Sequence, residues 1–301
     1  MNILTLDGGG SKGVYTLGVL SELEASLGKP LCQCFDYIYG TSTGSIITAL
    51  LGLGWSVADI KELYFKLIPR IMRPVLPSAK SRALRAELVN ALGDQDFTAF
   101  KTGIAIIATN VGAEKPFVFK NRVSQAYKLK ATFVPGFGAK IADAVQASCA
   151  AVPIFDKVSV KTANQDTVVA IDGGFIANNP ILMAIADALN ALNSPLAETN
   201  FVSIGTGNFV EKHAPISMFI RSLWTVRQIE MILKSNANTI DILAPLLFKG
   251  IRLVRINDSF NQPQYRTNMI EKDPKKLALL HGLGRASFGK HEDDIRNLLG
   301  L

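Results

Sequence analysis

The sequence predicts a three-layer α/β/α protein, in which helices cover both faces of a central, mainly parallel sheet. Short segments typical of strands alternate along the chain with apolar segments typical of helices, which is the order that builds a parallel sheet. Clusters of small residues follow four of the expected strands, where such a sheet gathers its ligand chemistry. Hydrophobic residues make up 48% of the 301 residues and charged residues 19%, which excludes a disordered chain.

Each expected element rests on its own pattern of residues. Runs of β-branched and aromatic residues predict strands at residues 2–6, 35–39, 103–109, 115–120, 168–171 and 201–204. Apolar residues at helical spacing predict helices at residues 15–27, 45–53, 141–151 and 180–192. The segment 45–53 is apolar on nearly every side, so we expect its helix to be buried.

We expect a single domain that spans residues 1–301. The motifs described below lie within residues 1–207, and residues 208–301 are expected to be a mostly helical completion of the same domain. Residues 61–87 contain Pro69, Pro74 and Pro77. Because proline breaks regular helix, we expect this segment to be irregular.

The charge balance and the cysteine content limit the partners and the cellular compartment that we expect. Lysine and arginine number 32 and aspartate and glutamate 25, so the net charge is +7, which suits nucleic acid or an acidic membrane. Three cysteines do not form a disulfide framework. The N-terminus lacks a signal-peptide pattern, and no apolar run approaches the ~20 residues of a membrane span. We therefore expect a cytoplasmic protein.

The central small-residue cluster is a G-x-S-x-G sequence between an expected strand and an expected helix. It consists of Gly40, Thr41, Ser42, Thr43 and Gly44. A serine on such a sharp strand-to-helix turn is held in strained geometry, and the flanking glycines let the strand and the helix pack closely around it. The pattern therefore predicts a nucleophile elbow with Ser42 as the nucleophile.

A serine nucleophile needs a base, and an aspartate is the better candidate here. The sequence contains three histidines, which are His213, His281 and His291. We expect each to be a solvated surface residue, although chain order alone leaves His213 and His281 open as triad members. Asp172 ends an apolar strand and precedes Gly173 and Gly174, so its carboxylate can lie at the same sheet edge as Ser42. Burial would raise its basicity.

The first cluster contains three consecutive glycines directly after a strand. Its sequence is Asp7-Gly8-Gly9-Gly10-Ser11-Lys12-Gly13. Backbone N–H groups of such a loop can converge on a phosphate or on the oxyanion of an acyl-transfer intermediate. The P-loop spacing is absent, and the acidic residue that a dinucleotide site needs on a second strand is absent as well.

Taken together, these clusters resemble the patatin-like phospholipases. That family combines a D-G-G-G-x-R/K-G loop, a G-x-S-x-G nucleophile and a D-G-G/A base, and the three motifs stand here in the family's order. The segments 109–119, 147–151, 175–180 and 203–207 are similar to the family as well, so the likeness covers residues 1–207. Lys12 stands where many members carry arginine, which keeps the charge but loses the planar fork.

The resemblance implies a specific chemistry. Ser42 would attack an acyl ester and Asp172 would serve as the base, with no histidine. The oxyanion hole would lie in the loop that contains Gly8, Gly9, Gly10, Lys12 and Gly13. The substrates would be glycerolipids or phospholipids, cleaved as by a phospholipase A. We expect no metal ion and no cofactor.

A basic segment follows the expected nucleophile helix and indicates what kind of partner the protein would contact. Residues 61–85 carry seven basic residues, which are Lys61, Lys66, Arg70, Arg73, Lys80, Arg82 and Arg85. Apolar residues are interleaved with them, which is typical of a contact with an anionic membrane. A solvated loop with a few core anchors would explain the same pattern. No nucleic-acid motif accompanies the charge, so we expect no nucleic-acid partner.

Other functions remain open at the level of sequence. Residues 7–12 also resemble the first phosphate loop of actin-like sugar kinases, but that alternative gives no role to Ser42 or Asp172. A storage or regulatory protein could keep the fold without the activity. A phospholipase effector that is switched on by a signal is a further alternative, in which the regulator would act on the catalytic domain itself.

Overall fold

The computed structural model describes residues 1–127, 130–210 and 221–301, with side chains in the last range from residue 226 onward. The strands are β1 (Asn2–Leu6), β2 (Tyr37–Thr41), β3 (Gly103–Asn110), β4 (Lys115–Lys120), β5 (Val158–Lys161), β6 (Thr167–Asp172), β7 (Asn200–Ile204), β8 (Asn208–Phe209), β9 (Arg252–Ile256) and β10 (Ser259–Phe260). The helices are α1 (Gly13–Leu27), α2 (Leu31–Cys34), α3 (Thr43–Gly52), α4 (Val57–Met72), α5 (Pro77–Leu92), α6 (Ile141–Ser148), α7 (Gly174–Ala177), α8 (Ile181–Asn190), α9 (Arg221–Leu247) and α10 (Pro274–Leu299).

The main sheet has the strand order β5-β6-β3-β2-β1-β7-β9, with β4 paired to β3 beside this path. Each strand is parallel to the next in the series β3-β2-β1-β7-β9. Strands β4 and β6 are antiparallel to β3, and β5 is antiparallel to β6. The two short strands β8 and β10 pair with each other. The expected α/β/α class with a mainly parallel sheet is confirmed.

Side chains alternate between the two faces of the sheet and pack into two separate hydrophobic cores. In β1, Leu4 and Leu6 join the core that contains α1, α3, α4, α5, α6 and α10. Ile3 of the same strand faces the opposite way and packs with residues of α8 and α9. Because neighbouring strands continue this alternation, both faces are covered by helices, which gives the three layers.

The segment expected to be irregular is instead helical, so that prediction was wrong. Pro69 lies inside α4, and Pro77 is the first residue of α5, where its missing N–H removes no hydrogen bond. Helix α4 buries apolar side chains such as Ile60, Leu67 and Ile71 against the main core. The free energy gained by this packing outweighs the free energy lost at one interior proline, which lies only one turn from the end of the helix.

Most other boundaries agree with the expected ones within three residues. The strand expected at residues 35–39 lies two residues later, because Leu31–Cys34 forms a helical turn before it. The C-terminal part contains the two long helices α9 and α10. It also contributes β9, an edge strand that the sequence analysis did not predict.

Candidate active site

Ser42 lies on the turn between β2 and α3 with φ 52° and ψ −122°. This backbone conformation is rare for a residue with a side chain and is typical of strained functional positions. The turn is so tight that a Cβ atom at Gly44 would collide with the carbonyl oxygen of Leu6. A Cβ atom at Gly40 would collide with Thr48 on α3. The two flanking glycines are thus required by the close approach of helix and strand, as the G-x-S-x-G pattern predicts.

Asp172 reaches Ser42 by an arrangement that the sequence did not reveal. Strand β2 pairs with β3 as far as Thr41, which lies opposite Ile107. Strand β6 is antiparallel to β3 and pairs with it from Asp172, opposite Ala108, onward. Strand β4 occupies one edge of β3 over the same span. Both β2 and β6 must therefore pair with the other edge of β3, where they lie end to end. Their carboxyl ends therefore meet, although β6 is antiparallel to the strands around it.

The two side chains are joined by a hydrogen bond. Ser42 Oγ donates to Asp172 Oδ2 at 2.7 Å, and the amide of Gly174 donates to Asp172 Oδ1 at 2.7 Å. Asp172 is completely buried. Burial raises its pKa to about 7, against the lowering effect of these two hydrogen bonds. A carboxylate with this pKa can exchange a proton with the serine hydroxyl near neutral pH.

Neighbouring groups hold the two ends of this pair in place. Ser148 Oγ accepts a hydrogen bond from the amide of Ser42 at 2.9 Å and donates to the carbonyl of Ile107 at 2.5 Å. The amide of Gly173 donates to the carbonyl of Ser148 at 3.2 Å. Ser148 thus contacts both the nucleophile turn and the aspartate turn. Sequence reasoning noted it only as part of a family-like segment.

Thr41 and Thr43 fix the backbone on either side of Ser42. Thr41 Oγ1 donates to the carbonyl of Ala177 at 2.7 Å. The carbonyl of Thr43 accepts a hydrogen bond from the hydroxyl of Tyr64 at 2.8 Å, which ties α4 to the start of α3. Tyr64 was not identified from the sequence, since its role depends on the helix that the prolines were expected to break.

The glycine loop packs directly on the nucleophile turn. The amide of Gly8 donates to the carbonyl of Asn178 at 3.0 Å, and Asn178 Nδ2 donates back to the carbonyl of Gly8 at 3.3 Å. The amides of Lys12 and Gly13 donate to carbonyls within the loop. Within the described residues, the amides of Gly9 and Gly10 donate no hydrogen bond, so within this loop these two amides are free to bind an anion.

The remaining loop residues have structural partners. Lys12 Nζ lies 2.9 Å from Glu230 Oε1 on α9. A Cβ atom at Gly13 would collide with Thr43 Oγ1, so this glycine allows α1 to begin against the nucleophile turn. The carboxylate of Asp7 accepts two hydrogen bonds from Arg255 on β9, one of them 2.9 Å long. The loop is therefore anchored at both ends.

An apolar pocket opens beside the nucleophile. Its walls include Ser42, Ile46, Tyr64, Ile71, Leu84 and Met269. Helix α4 supplies much of this lining, together with the segment that follows α6 and the loop before α10. A pocket of this composition suits an extended hydrocarbon chain.

The histidines do not complete a triad in the described part of the chain. His213 lies outside the described residues. His281 Nε2 lies 3.4 Å from Ser21 Oγ and its ring contacts Phe65, and burial lowers its pKa to about 4. His291 contacts Asp258. Among the described contacts, neither His281 nor His291 approaches Ser42 or Asp172.

Comparison with known proteins defines the family. The model of the patatin-like phospholipase family matches residues 4–185. The chain is 44% identical over 298 residues to the cUMP-AMP-activated phospholipase of Escherichia coli, which covers 99% of this chain and 93% of that protein. It is 28% identical to the cGAMP-activated phospholipase of Pseudomonas aeruginosa over 61% of this chain and 55% of that protein.

A solved structure agrees with the fold. VipD from Legionella pneumophila superposes with a TM-score of 0.51 at 13% identity, over 97% of this chain and 66% of that one. The chain belongs to the patatin-like phospholipase family and is a lipid acyl hydrolase. This membership leaves the sugar-kinase interpretation of residues 7–12 without support. Within the described residues, no helix combines the length and the hydrophobicity needed to cross a bilayer.

Proposed function

We propose that the protein is a phospholipase A-type enzyme that cleaves acyl esters of glycerolipids through a Ser42–Asp172 dyad. The observation that carries the proposal is the 2.7 Å hydrogen bond from Ser42 Oγ to the buried Asp172 carboxylate. A strained serine beside a base of raised pKa is the arrangement of an activated nucleophile. Asp172 takes the part that histidine plays in a conventional triad.

The reaction proceeds in two halves. Ser42 Oγ attacks the ester carbonyl while its proton passes to Asp172, and the tetrahedral oxyanion accepts hydrogen bonds from the free amides of Gly9 and Gly10. The intermediate then expels the lysolipid alkoxide, which takes the proton from Asp172. Water next attacks the acyl-enzyme and gives a proton to Asp172, and Ser42 Oγ recovers that proton when the fatty acid leaves.

The apolar pocket is the proposed site of the acyl chain, and its mouth is the proposed membrane contact. The turn between α4 and α5 exposes Val75 and Leu76, which are 88% and 65% accessible. Of the basic residues 61–85, Lys66, Arg70 and Arg85 are paired with acidic side chains, whereas Arg73 is exposed beside the turn. An apolar tip with an exposed cation beside it is suited to the interface of an anionic membrane.

The dyad is tested with an active-site probe and with lipid products. A fluorophosphonate probe should label the wild type at Ser42, and mixed glycerolipids should release free fatty acid detected by mass spectrometry. Ser42→Ala should abolish both signals, whereas Ser21→Ala, a partly buried serine on α1, should retain both. Labelling of a folded Ser42→Ala protein at another residue, or unchanged fatty-acid release, would refute the assignment.

A second proposal concerns regulation. The 44% identity to the cUMP-AMP-activated phospholipase extends over 99% of this chain, so we infer that a cyclic dinucleotide switches this enzyme on as well. Fatty-acid release should then rise when cUMP-AMP or cGAMP is added to the wild type. The linear dinucleotides are the control. Equal activity with and without both cyclic compounds would contradict this proposal and leave the dyad untouched.

A further inference from the structure

Helix α9 presents an apolar strip to solvent along its outer side. Its inner side is buried through Leu233, Ala237 and Ile240, which follow the three- and four-residue spacing of an inward helix face. Six large apolar side chains on the outer side are between 41% and 65% exposed, and they are Met231, Ile232, Ile242, Leu243, Leu246 and Leu247. We refer to these six residues as the α9 strip, and the dyad mechanism uses none of them.

Contacts on the inner side hold α9 in this orientation. Asn236 Oδ1 accepts a hydrogen bond from the amide of Asn178 at 3.2 Å, and Asp241 Oδ1 accepts one from Asn179 Nδ2 at 2.7 Å. A rotation of α9 that buried the α9 strip would break these contacts and expose the apolar inner side. The strip therefore stays on the surface of a single copy, and covering it requires a partner.

The α9 strip is large for an exposed apolar surface. A large aliphatic residue has a surface on the order of 200 Å², so the six residues expose several hundred Å² on one copy, and patches of this size mark interaction sites in soluble proteins. Two copies that cover each other's strip offer on the order of 1,200 Å², which reaches the lower limit of a stable interface. The area is thus sufficient for a second copy of this chain.

The charge of the α9 strip favours a protein partner over a lipid surface. The segment 231–247 contains two charged residues, Lys234 and Asp241, and their signs cancel. Both are engaged by partners on their own copy, since Lys234 Nζ lies 3.2 Å from Glu230 Oε1 and Asp241 Oδ1 lies 3.0 Å from Arg255 Nε. An anionic membrane would gain no attraction from such a surface, whereas the cores of protein interfaces are depleted of charge.

The position of the α9 strip also separates it from the proposed membrane contact. Ile240 and Ala244 of α9 pack with α8 on one face of the sheet, whereas α4 and α5 belong to the core on the other face. A membrane that meets the turn between α4 and α5 therefore leaves the strip in water.

Exposed residues recur along α9 at the spacing that packs two helices together. Ile232, Ser235, Thr239, Ile242 and Leu246 are all exposed, and they alternate steps of three and four residues. This is the spacing of the seam between two helices of a coiled coil. Ser235 and Thr239 are small, so they let a second helix approach closely at the middle of the seam.

The order of the apolar residues is self-complementary about Thr239. Met231 and Ile232 lie eight and seven positions before it, and Leu247 and Leu246 lie eight and seven positions after it. In an antiparallel pair of α9 helices centred on Thr239, Met231 of one copy faces Leu247 of the other, and Ile232 faces Leu246. A two-fold contact of this kind uses the same surface on both copies, so every apolar pair occurs twice.

We propose that two copies of this chain form a dimer through the α9 strip, with the two helices antiparallel about Thr239. The burial of apolar side chains from both copies drives the association. The dimer is closed, since both copies use the same surface. The turn between α4 and α5 remains free on each copy.

Sedimentation equilibrium of the full chain tests the association. At about 100 µM the wild type should be mainly dimeric, and Ile242→Glu/Leu246→Glu should raise the apparent dissociation constant at least about tenfold. Val75→Glu/Leu76→Glu adds the same charge to exposed apolar residues of the α4–α5 turn and should dimerise as the wild type does. A wild type that stays monomeric at this concentration, or a strip variant that associates unchanged, overturns the proposal.

Vesicle binding separates a second copy from a lipid surface as the partner. Ile242→Glu/Leu246→Glu should still sediment with phosphatidylglycerol vesicles, whereas Val75→Glu/Leu76→Glu should not. If the strip variant stops sedimenting with vesicles while its self-association is unchanged, the α9 strip contacts lipid and the proposal is overturned.

Single cysteines locate the two-fold axis without adding charge to the interface. The variants carry Cys34→Ser, because the two other cysteines are buried. Oxidation should cross-link Thr239→Cys to its counterpart, since the two copies meet at this residue and a disulfide needs Cα atoms within about 7 Å.

The matched control lies on the same helix away from the axis. Leu247→Cys should not cross-link to itself, because the two copies of this residue lie about 24 Å apart in the antiparallel pair. Adding Met231→Cys to Leu247→Cys should restore the cross-link, since these residues face each other across the interface. Cross-linking of Leu247→Cys alone as efficient as that of Thr239→Cys would overturn the antiparallel arrangement, whether or not the glutamate variant folds.

Discussion

The amide of Ser42 donates a hydrogen bond to Ser148 Oγ, and the same hydroxyl donates onward to the carbonyl of Ile107 on β3. The strained turn of the nucleophile is thereby fastened to a central strand of the sheet. Ser148 is completely buried and its backbone also binds Gly173, the residue after the aspartate. One side chain thus sets the position of the nucleophile relative to its base.

Replacing Ser148 by alanine is expected to slow catalysis more than it unfolds the protein. The free amide of Ser42 lets the turn relax, and kcat should fall at least about tenfold because small misplacements of a nucleophile are costly. The free energy of unfolding should fall by about 2 kcal/mol, since buried groups lose their partners. Steady-state hydrolysis of a p-nitrophenyl ester and urea unfolding measure the two effects.

Ser287→Ala is the matched control for this variant. Ser287 is also completely buried and its hydroxyl donates to Asp258 at 3.0 Å, but it lies on α10 away from the dyad. It should show a similar loss of stability with an unchanged kcat. If the two variants lower kcat equally, Ser148 has no positioning role.

The pH dependence of hydrolysis follows from Asp172. Burial raises its pKa to about 7, and only the deprotonated form accepts the serine proton. We therefore expect kcat/KM to rise with pH and to level off above about pH 7. Asp172→Asn should lower kcat on the order of 10³-fold and remove this dependence. A wild-type profile that is flat between pH 5 and 8 (roughly one unit or more on each side of this pKa) would contradict the assignment.

The same group makes stability depend on pH. The native state holds the Asp172 proton up to about pH 7, whereas the unfolded chain releases it near the ordinary value of 3.8. The higher native pKa of Asp172 therefore adds to the free energy of unfolding in full below pH 3.8, and this contribution is lost as the pH rises towards 7. The Asp172→Asn variant stays neutral, so its stability relative to the wild type should increase from pH 4 to pH 8. Urea unfolding of both proteins at several pH values measures this difference.

The motifs that surround the site could be predicted from the sequence, because their residues are dictated by local geometry. Gly40 and Gly44 are required by the approach of α3 to β1 and β2, and such requirements leave a recognisable pattern. A hydrogen bond joins Ser42 to Asp172. The strand arrangement behind this contact could not be predicted, since the end-to-end placement of β2 and β6 depends on pairing with β3, which no local pattern records.

Other features depend on long-range packing and were missed for that reason. The three prolines in residues 61–87 suggested an irregular segment, but α4 forms because its apolar stripe is buried in the core. Tyr64 and Glu230 acquire their roles only through contacts with the nucleophile turn and the glycine loop. A sequence pattern cannot supply such contacts, since the partners lie 21 and 218 positions apart.

The apolar pocket is expected to set the preference for acyl-chain length. Ile71 lines the pocket, so Ile71→Trp should narrow it and lower the ratio of kcat/KM for palmitoyl to that for butyryl esters at least about tenfold. Val89→Trp introduces the same ring at a site that is 41% exposed and outside the pocket lining, and it should keep the wild-type ratio. An unchanged ratio in Ile71→Trp would place the acyl chain elsewhere.

The turn between α4 and α5 is expected to carry the enzyme onto an anionic membrane. Val75 and Leu76 project from it, and its cations include Arg73 and Lys80. Burial together with the ammonium of Lys272 lowers the pKa of Lys80. Arg73 and Lys80 therefore place positive charge beside the apolar tip that would enter the interface.

Replacing both tip residues by glutamate should weaken membrane binding without changing the chemistry at Ser42. The Val75→Glu/Leu76→Glu variant loses apolar contact and repels the anionic surface, so sedimentation with phosphatidylglycerol vesicles should fall at least about tenfold. Hydrolysis of a dissolved p-nitrophenyl ester should persist, and Val89→Glu, an exposed position on α5, should bind vesicles as the wild type does. Because added salt screens the charge but not the apolar contact, the wild type should bind more weakly at high salt yet keep a residual affinity that the double variant lacks. Equal sedimentation of the double variant and the wild type would show that a different surface meets the lipid.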